Sequence, residues 1–267
     1  MLSHRGRERS FVQNLRLAVL LSFVGGVVNV SGFLALKLMT TNVTGYLSNF
    51  AQEFLSFNKT AILKSVLLLV AFFMGAFTSH VILQIQKLIR NKVYFTVPLI
   101  LEALLLAGVA YLEGDVLHQY PMKIAYVLLF AMGLQNSLVT FISKAVVRTT
   151  HITGIVTDLG IETARLFFYI RNKNVRRVLL SHIGLKLSII FSFGIGGIVA
   201  AYCFEWMHLR TLYIGVAVIL LTTVYDYLVV KMLLVFEEGK HIVDWSKRVV
   251  KHDYRVYHIL KKRRNKK

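Results

Sequence analysis

Cysteine and proline are almost missing from this chain of 267 residues: there is one cysteine, Cys203, and there are two prolines, Pro98 and Pro121. A lone cysteine excludes an intrachain disulfide and says nothing about redox compartment. With so little proline and no Gly/Ser-rich stretch, no flexible linker divides the chain into separate domains. Acidic residues are scarce too, 13 against 32 Lys and Arg, for a formal net charge of +19. No His/Cys cluster has metal-ligand spacing, and HxxxH, HExxH, GxSxG and GxxxxGK[ST] are all absent. Paired carboxylates for hydrolysis would have to be Asp158 and Glu162, but residues four apart on one helix do not flank a scissile bond. These absences point away from an enzyme, and no cofactor or metal is expected.

What the chain has is apolar residues in blocks, 56% of the total, at a mean hydropathy of +0.61. Residues 15–36, 61–85, 94–112, 122–143, 178–203 and 210–236 are each about long enough to cross a bilayer core of ~30 Å. Most are apolar all round, which suits lipid better than an amphipathic surface helix. The first block follows a basic leader with no small-residue cleavage site after it, and reads as a retained span. The positive charge sits in flanks: eleven Lys or Arg against Asp244 and Asp253 in residues 240–267, with Arg5, Arg7, Arg9 and Arg16 at the other end. That is the distribution expected of cytoplasmic segments, and it argues against nucleic acid as the partner. If the six blocks cross in turn from a cytoplasmic N-terminus, Lys87/Arg90/Lys92, the run RNKNVRR at 171–177 and the C-terminal tail all fall inside. The loop with Glu113, Asp115 and His118 falls outside.

Two polar stretches interrupt this pattern. TTNVTGYLSNFAQE at 40–53 and TTHITGIVTDLGIE at 149–162 agree position by position at an offset of 109. Thr40, Thr41, Thr44, Gly45 and Glu53 match Thr149, Thr150, Thr153, Gly154 and Glu162 by identity. Each follows the first long block of its half. Halves of three crossings enter the membrane from opposite sides, as in transporters with inverted repeats whose sites lie at the repeat interface. Helical spacing puts Asn42, Gly45, Asn49 and Glu53 on one face, and His151, Gly154, Asp158, Glu162 and Arg165 on another. Thr40/Thr41 and Thr149/Thr150 stand where N-caps would satisfy free N–H groups. Ser48 and Thr157, like both glycines, equally fit close helix packing; the glycines of FGIGGIVAA at 193–201 are read that way.

Asn29, in GGVVNVSGF, and Gln135 with Asn136, in AMGLQNS, occupy comparable places just ahead of the two motifs. Glu102 lies mid-span in VPLILEALLLAG with nothing polar beside it, and ionisable groups at depth mark pathways or relays. Glu162 has a candidate partner at i+3 in Arg165, and Asp226 one in Lys231. In the tail, Ile242, Trp245, Val249, Val256 and Leu260 recur at helical spacing among basic residues. Such a helix lies on an anionic leaflet.

FVGGVVNVSGF with TTNVTG, and AMGLQNSLV with TTHITGIVTDLGIE, resemble the YoaK family of bacterial inner-membrane proteins over roughly residues 15–236. The resemblance implies six spans in the inner membrane and an activity without assignment. It also implies an acidic residue where this chain has Asn29, which argues against a coupling carboxylate there.

The expectation is an all-α polytopic membrane protein of two tandem repeats in inverted topology, each with three long spans and one short polar helix. A cytoplasmic leader covers 1–14, the repeats 15–112 and 122–236, and a cytoplasmic amphipathic tail 240–267. The expected role is transport of a small solute or ion. Asn29, Thr40, Thr41, Asn42, Thr44, Asn49, Gln135, Asn136, Thr149, Thr150, His151, Thr153, Thr157 and Asp158 would form the substrate site, with Glu102, Asp158 and Glu162 for a coupling ion. The alternative is a non-transporting membrane scaffold or lipid-interacting protein acting through its basic C-terminal tail. The bilayer and its anionic head groups are the expected partners, and a homo-oligomer stays open.

Overall fold

Hydrophobic blocks become helices, and each proline sits where a helix tolerates it. In the computed structural model residues 11–90, 95–112, 117, 119–143 and 150–225 are described. They form α1 (Phe11–Leu36), α2 (Val43–Leu55), α3 (Lys59–Arg90), α4 (Thr96–Tyr111), α5 (Pro121–Ser143), α6 (Ile152–Phe168) and α7 (Lys173–Met207). A 3₁₀ turn, His208–Thr211, then leads into α8, residues 212–225. Pro121 opens α5 and Pro98 lies in the first turn of α4, where the missing N–H costs no helical hydrogen bond. There is no strand among the described residues. Residues 225–267 form a second unit, which apart from Tyr225 lies outside the described residues, as do Asp226, Lys231 and the tail at 240–267.

Among the described residues four helical stretches are long and apolar enough to cross a membrane: Ala18–Leu36, Lys59–Ile89, Pro121–Phe141 and Lys173–Tyr225. The last is broken at His208, whose φ of 47° turns the chain into the 3₁₀ segment. Helix α4 is shorter at 16 residues, ~24 Å at helical rise. Large side chains such as Phe73, Phe77, Leu104, Phe191 and Ile198 stand more than half exposed along these helices. In water that much apolar surface would be unfavourable; in lipid it is ordinary.

The most extensive packing joins α1 to α7 and α3 to α5. Glycines let the backbones approach: a Cβ added at Gly26 would strike the carbonyl of Phe193, and one at Gly196 that of Phe23. Gly75 faces the Phe130 carbonyl and Gly133 that of Phe72 in the same manner. The order of contacts gives direction. Ser192 donates to the Val19 carbonyl while Gly196 lies on Phe23, so α1 and α7 run the same way. Gly133 lies on Phe72 and the Phe141 ring meets His80 at 5.4 Å between centroids, so α3 and α5 also run the same way. Between α1 and α5 the order is reversed. Gln135 Nε2 donates to the Leu21 carbonyl at 2.9 Å, while Leu36 packs against the cluster formed by Tyr46, Leu68, Ala125 and Leu129.

After α1 the chain doubles back. Lys37 adopts φ 56°, and Thr40 Oγ1 then donates to the Val28 carbonyl at 3.1 Å. Asn29 Oδ1 accepts from both the Thr41 amide, at 3.2 Å, and the Thr41 hydroxyl, at 2.8 Å. Asn29 precedes the end of α1 at Leu36 by seven residues, so α2 starts ~10 Å back along the helix. The second junction is built alike. Thr150 Oγ1 donates to Asn136 Oδ1 at 2.7 Å, and Asn136 precedes the end of α5 at Ser143 by seven residues. Helix α2 packs on α3 and α6 on α7.

Candidate functional site

The two junctions are made by side chains that satisfy backbone and hydroxyl groups where the chain is not helical, the condition for irregular backbone at membrane depth. Thr40 is fully buried and Thr150 nearly so. The methyl of Thr150 lies against Gly25, where a Cβ would approach it to 2.9 Å, so the start of α6 rests on the middle of α1. Gln135, also fully buried, ties α5 to the same helix two residues before the Phe23 contact. Asn29, Thr40, Thr41, Gln135, Asn136 and Thr150 are thus gathered around α1 and α5, as anchors of the two short helices.

The threonine pairs do not cap. The N-cap of α2 is Asn42, whose Oδ1 accepts from the Gly45 amide at 3.4 Å and the Thr44 hydroxyl at 2.7 Å. The N-cap of α6 is His151, without a side-chain capping bond, its ring against Gly154. Thr40, Thr41 and Thr150 spend their hydroxyls on the preceding span instead, a long-range use invisible to local spacing. Thr149 lies outside the described residues.

The remaining predicted site residues do not converge. Thr44, Asn49, Thr153, Thr157 and Asp158 are exposed on α2 and α6. Thr157 returns its hydroxyl to the Thr153 carbonyl of its own helix at 3.0 Å.

The acidic residues separate into two kinds. Glu102 on α4 is fully buried, on the helix that gives Leu99, Ala103 and Leu106 to the main hydrophobic core, and neither carboxyl oxygen has a hydrogen-bond partner among the described residues. Glu162 pairs with α7 rather than with Arg165: its Oε1 lies 2.6 Å from Lys186 Nζ and 3.2 Å from His182 Nδ1. Glu53 on α2 accepts a hydrogen bond from Ser65 at 2.7 Å, joining α2 to α3. The expectation had missed Lys186, His182 and Ser65. Lys186 did carry a signal, as the one formal charge in the apolar block 178–203. Among the described residues no three His, Cys, Asp or Glu side chains are grouped to hold a metal ion.

A family model described as a protein of unknown function, DUF1275, matches residues 17–225. No curated protein and no solved structure matches the chain.

Proposed function

The chain belongs to that DUF1275 family, and from this premise we propose a non-enzymatic membrane protein of two inverted repeats that moves a small solute or ion past the starts of α2 and α6. The observation that carries the proposal is the pair of matching Asn–Thr junctions, Asn29 with Thr41 and Asn136 with Thr150. Each sets the N-terminus of a short polar helix back from the end of the span before it. Broken helices of that kind build the midplane sites of secondary transporters. The repeat reading is supported by reciprocal packing of α1 on α7 and α3 on α5, and by Glu53 and Glu162, at like places on α2 and α6, each bonding to the helix that follows. Inversion is supported by the hairpin tips. The α2–α3 tip belongs to the end of α1 where Leu36 packs near Leu68. The α6–α7 tip belongs to the other end, where Leu15 and Arg177 line one groove.

In this reading Asn42, Thr44, Asn49, His151, Thr153, Thr157 and Asp158 present polar atoms to the solute, while the buried junction residues hold the helix starts. Backbone N–H groups there suit an anion and Asp158 a cation. Glu102 is the carrier of a coupling proton, as a carboxyl held among apolar side chains with no structural partner. The bacterial inner membrane with both termini cytoplasmic, the tail on anionic lipid and the absence of a nucleic-acid partner belong to the same proposal.

Two measurements test it. In a Cys203→Ser background, single cysteines at Asn58 and Asn172, on the two tips, should label from opposite sides of the membrane; labelling from one side overturns the inverted repeat. Proteoliposomes screened against amino acids, sugars, carboxylates and monovalent cations on a solid-supported membrane should show a solute-evoked current that Glu102→Gln abolishes. If neither Glu102→Gln nor Asp158→Asn changes any current in folded protein, transport through this site is wrong and a scaffold acting through the tail takes its place.

A further inference from the structure

Beside Leu15 of α1, along α7 from Arg177 to Ser188, runs an open groove of about 390 Å³, lined by Leu15, Arg177, Leu180, Ser181, Gly184 and Ser188. It is apart from the polar junctions and from Glu102. Its floor is open because α7 carries small residues there: a Cβ added at Gly184 would meet nothing within 4 Å. The two serines add little polarity. Ser181 donates to the Arg177 carbonyl at 3.0 Å and Ser188 to the Gly184 carbonyl at 2.8 Å, so both hydroxyl protons are turned onto their own helix. The wall is therefore apolar, with one cation at its end.

Among the described residues that cation has no acidic partner. No Asp or Glu occurs between Glu162 and Glu205, Glu162 is engaged by Lys186 and His182, and no acidic side chain among the described residues pairs with Arg177. Arg171, Lys173 and Arg176 are exposed on the same tip, beside Phe167, Phe168 and Tyr169, which are 76%, 86% and 48% exposed. Exposed aromatics next to arginines mark the head-group level of a membrane protein. From Arg177 to Ser188 is eleven residues, ~16 Å at helical rise, which matches one leaflet of a ~30 Å hydrocarbon core.

We propose that this groove binds one anionic phospholipid, its phosphate on Arg177 and an acyl chain along Ser181, Gly184 and Ser188 against Leu15. Guanidinium suits a phosphate by its forked donors, and the apolar wall commits the site to a lipid rather than a free anion. The proposal rests on the membrane reading alone and is independent of transport.

The test uses the full chain purified in a non-ionic detergent, with the thermal midpoint followed as phosphatidylglycerol, phosphatidylcholine or inorganic phosphate is added. Phosphatidylglycerol should raise the midpoint saturably, well beyond the other two. Arg177→Gln should weaken the apparent affinity about tenfold. Gly184→Leu, which fills the groove without touching the charge, should abolish the saturable part; Ser181→Leu serves the same end if Gly184→Leu does not fold. Equal response to phosphatidylcholine, equal response to inorganic phosphate, or unchanged titrations in the variants would each overturn the site. Carbonate extraction of native membranes separates that outcome from failure of the membrane reading itself.

Discussion

Replacing Gly75 by alanine tests the architecture most directly. The added methyl would overlap the carbonyl oxygen, carbonyl carbon and Cα of Phe130, all backbone atoms of α5. No rotamer change relieves such a clash, so α3 and α5 must move apart. Overpacking costs about 1–3 kcal/mol, and a contact that only backbone displacement can relieve belongs at about 3. Alanine returns about 1 kcal/mol of helix propensity. The net loss is about 2 kcal/mol, or about 30-fold in the unfolding equilibrium. Gly108 supplies the control: it also lies inside a helix, but a Cβ there meets nothing within 4 Å. Gly108→Ala should therefore stabilise by up to about 1 kcal/mol. Reversible unfolding in mixed micelles, followed by circular dichroism, reads both changes. If Gly75→Ala and Gly108→Ala agree within about 0.5 kcal/mol, α3 and α5 are not in backbone contact and the pairing is wrong.

Other perturbations reach different parts of the fold. Asn29→Ala removes the acceptor of two hydrogen bonds to Thr41 and should cost about 2 kcal/mol in the same unfolding assay; a loss under about 0.5 kcal/mol would mean that the fold-back is held by something else. Tyr46→Phe deletes a 2.7 Å bond to the Met39 carbonyl and should cost about 1 kcal/mol, with the helix content of α2 retained. Lys186→Met leaves Glu162 with His182 alone and should cost about 2 kcal/mol, most of it recovered in the double variant with Glu162→Gln. Additive losses in that pair would deny the ion pair.

The helices were legible in the sequence because lipid-length apolar blocks need no partner to declare themselves: 15–36 ends where α1 does, at Leu36, and 122–143 differs from α5 by one residue. The glycines of 193–201 were read as packing residues, and Gly196 and Gly197 do lie against α1. The short helices were visible through their polar repeat, and their neighbours Asn29 and Asn136 through matching position. What the sequence hid was long-range. Thr41 and Thr150 look like caps until the chain reverses and offers them an asparagine twelve or fourteen residues earlier. The reversal at Lys37 uses a positive φ at a residue that is neither glycine nor asparagine, so no turn signal announces it. Glu162 has Arg165 within a helical turn, yet its charge is met by Lys186 from the next helix.

The exchange of partners between halves sets a timetable for synthesis. Gly26 on α1 must wait for Phe193, 167 residues later in the chain. At about 5–20 residues per second that is about 8–33 s of translation. Through that interval α1 is held by its affinity for lipid, by the Thr40 and Thr41 bonds and by Gln135 from α5, with its Gly26 surface not yet covered by α7. Helices α3 and α5 meet sooner, since Phe72 and Gly133 are 61 residues apart. The inner pair therefore closes before the outer one, and a ribosome that stops short of α7 releases a chain whose first helix has lost its main neighbour. Fragments truncated before residue 173 should be the ones a membrane protease removes fastest, because no later segment of the chain can supply that surface.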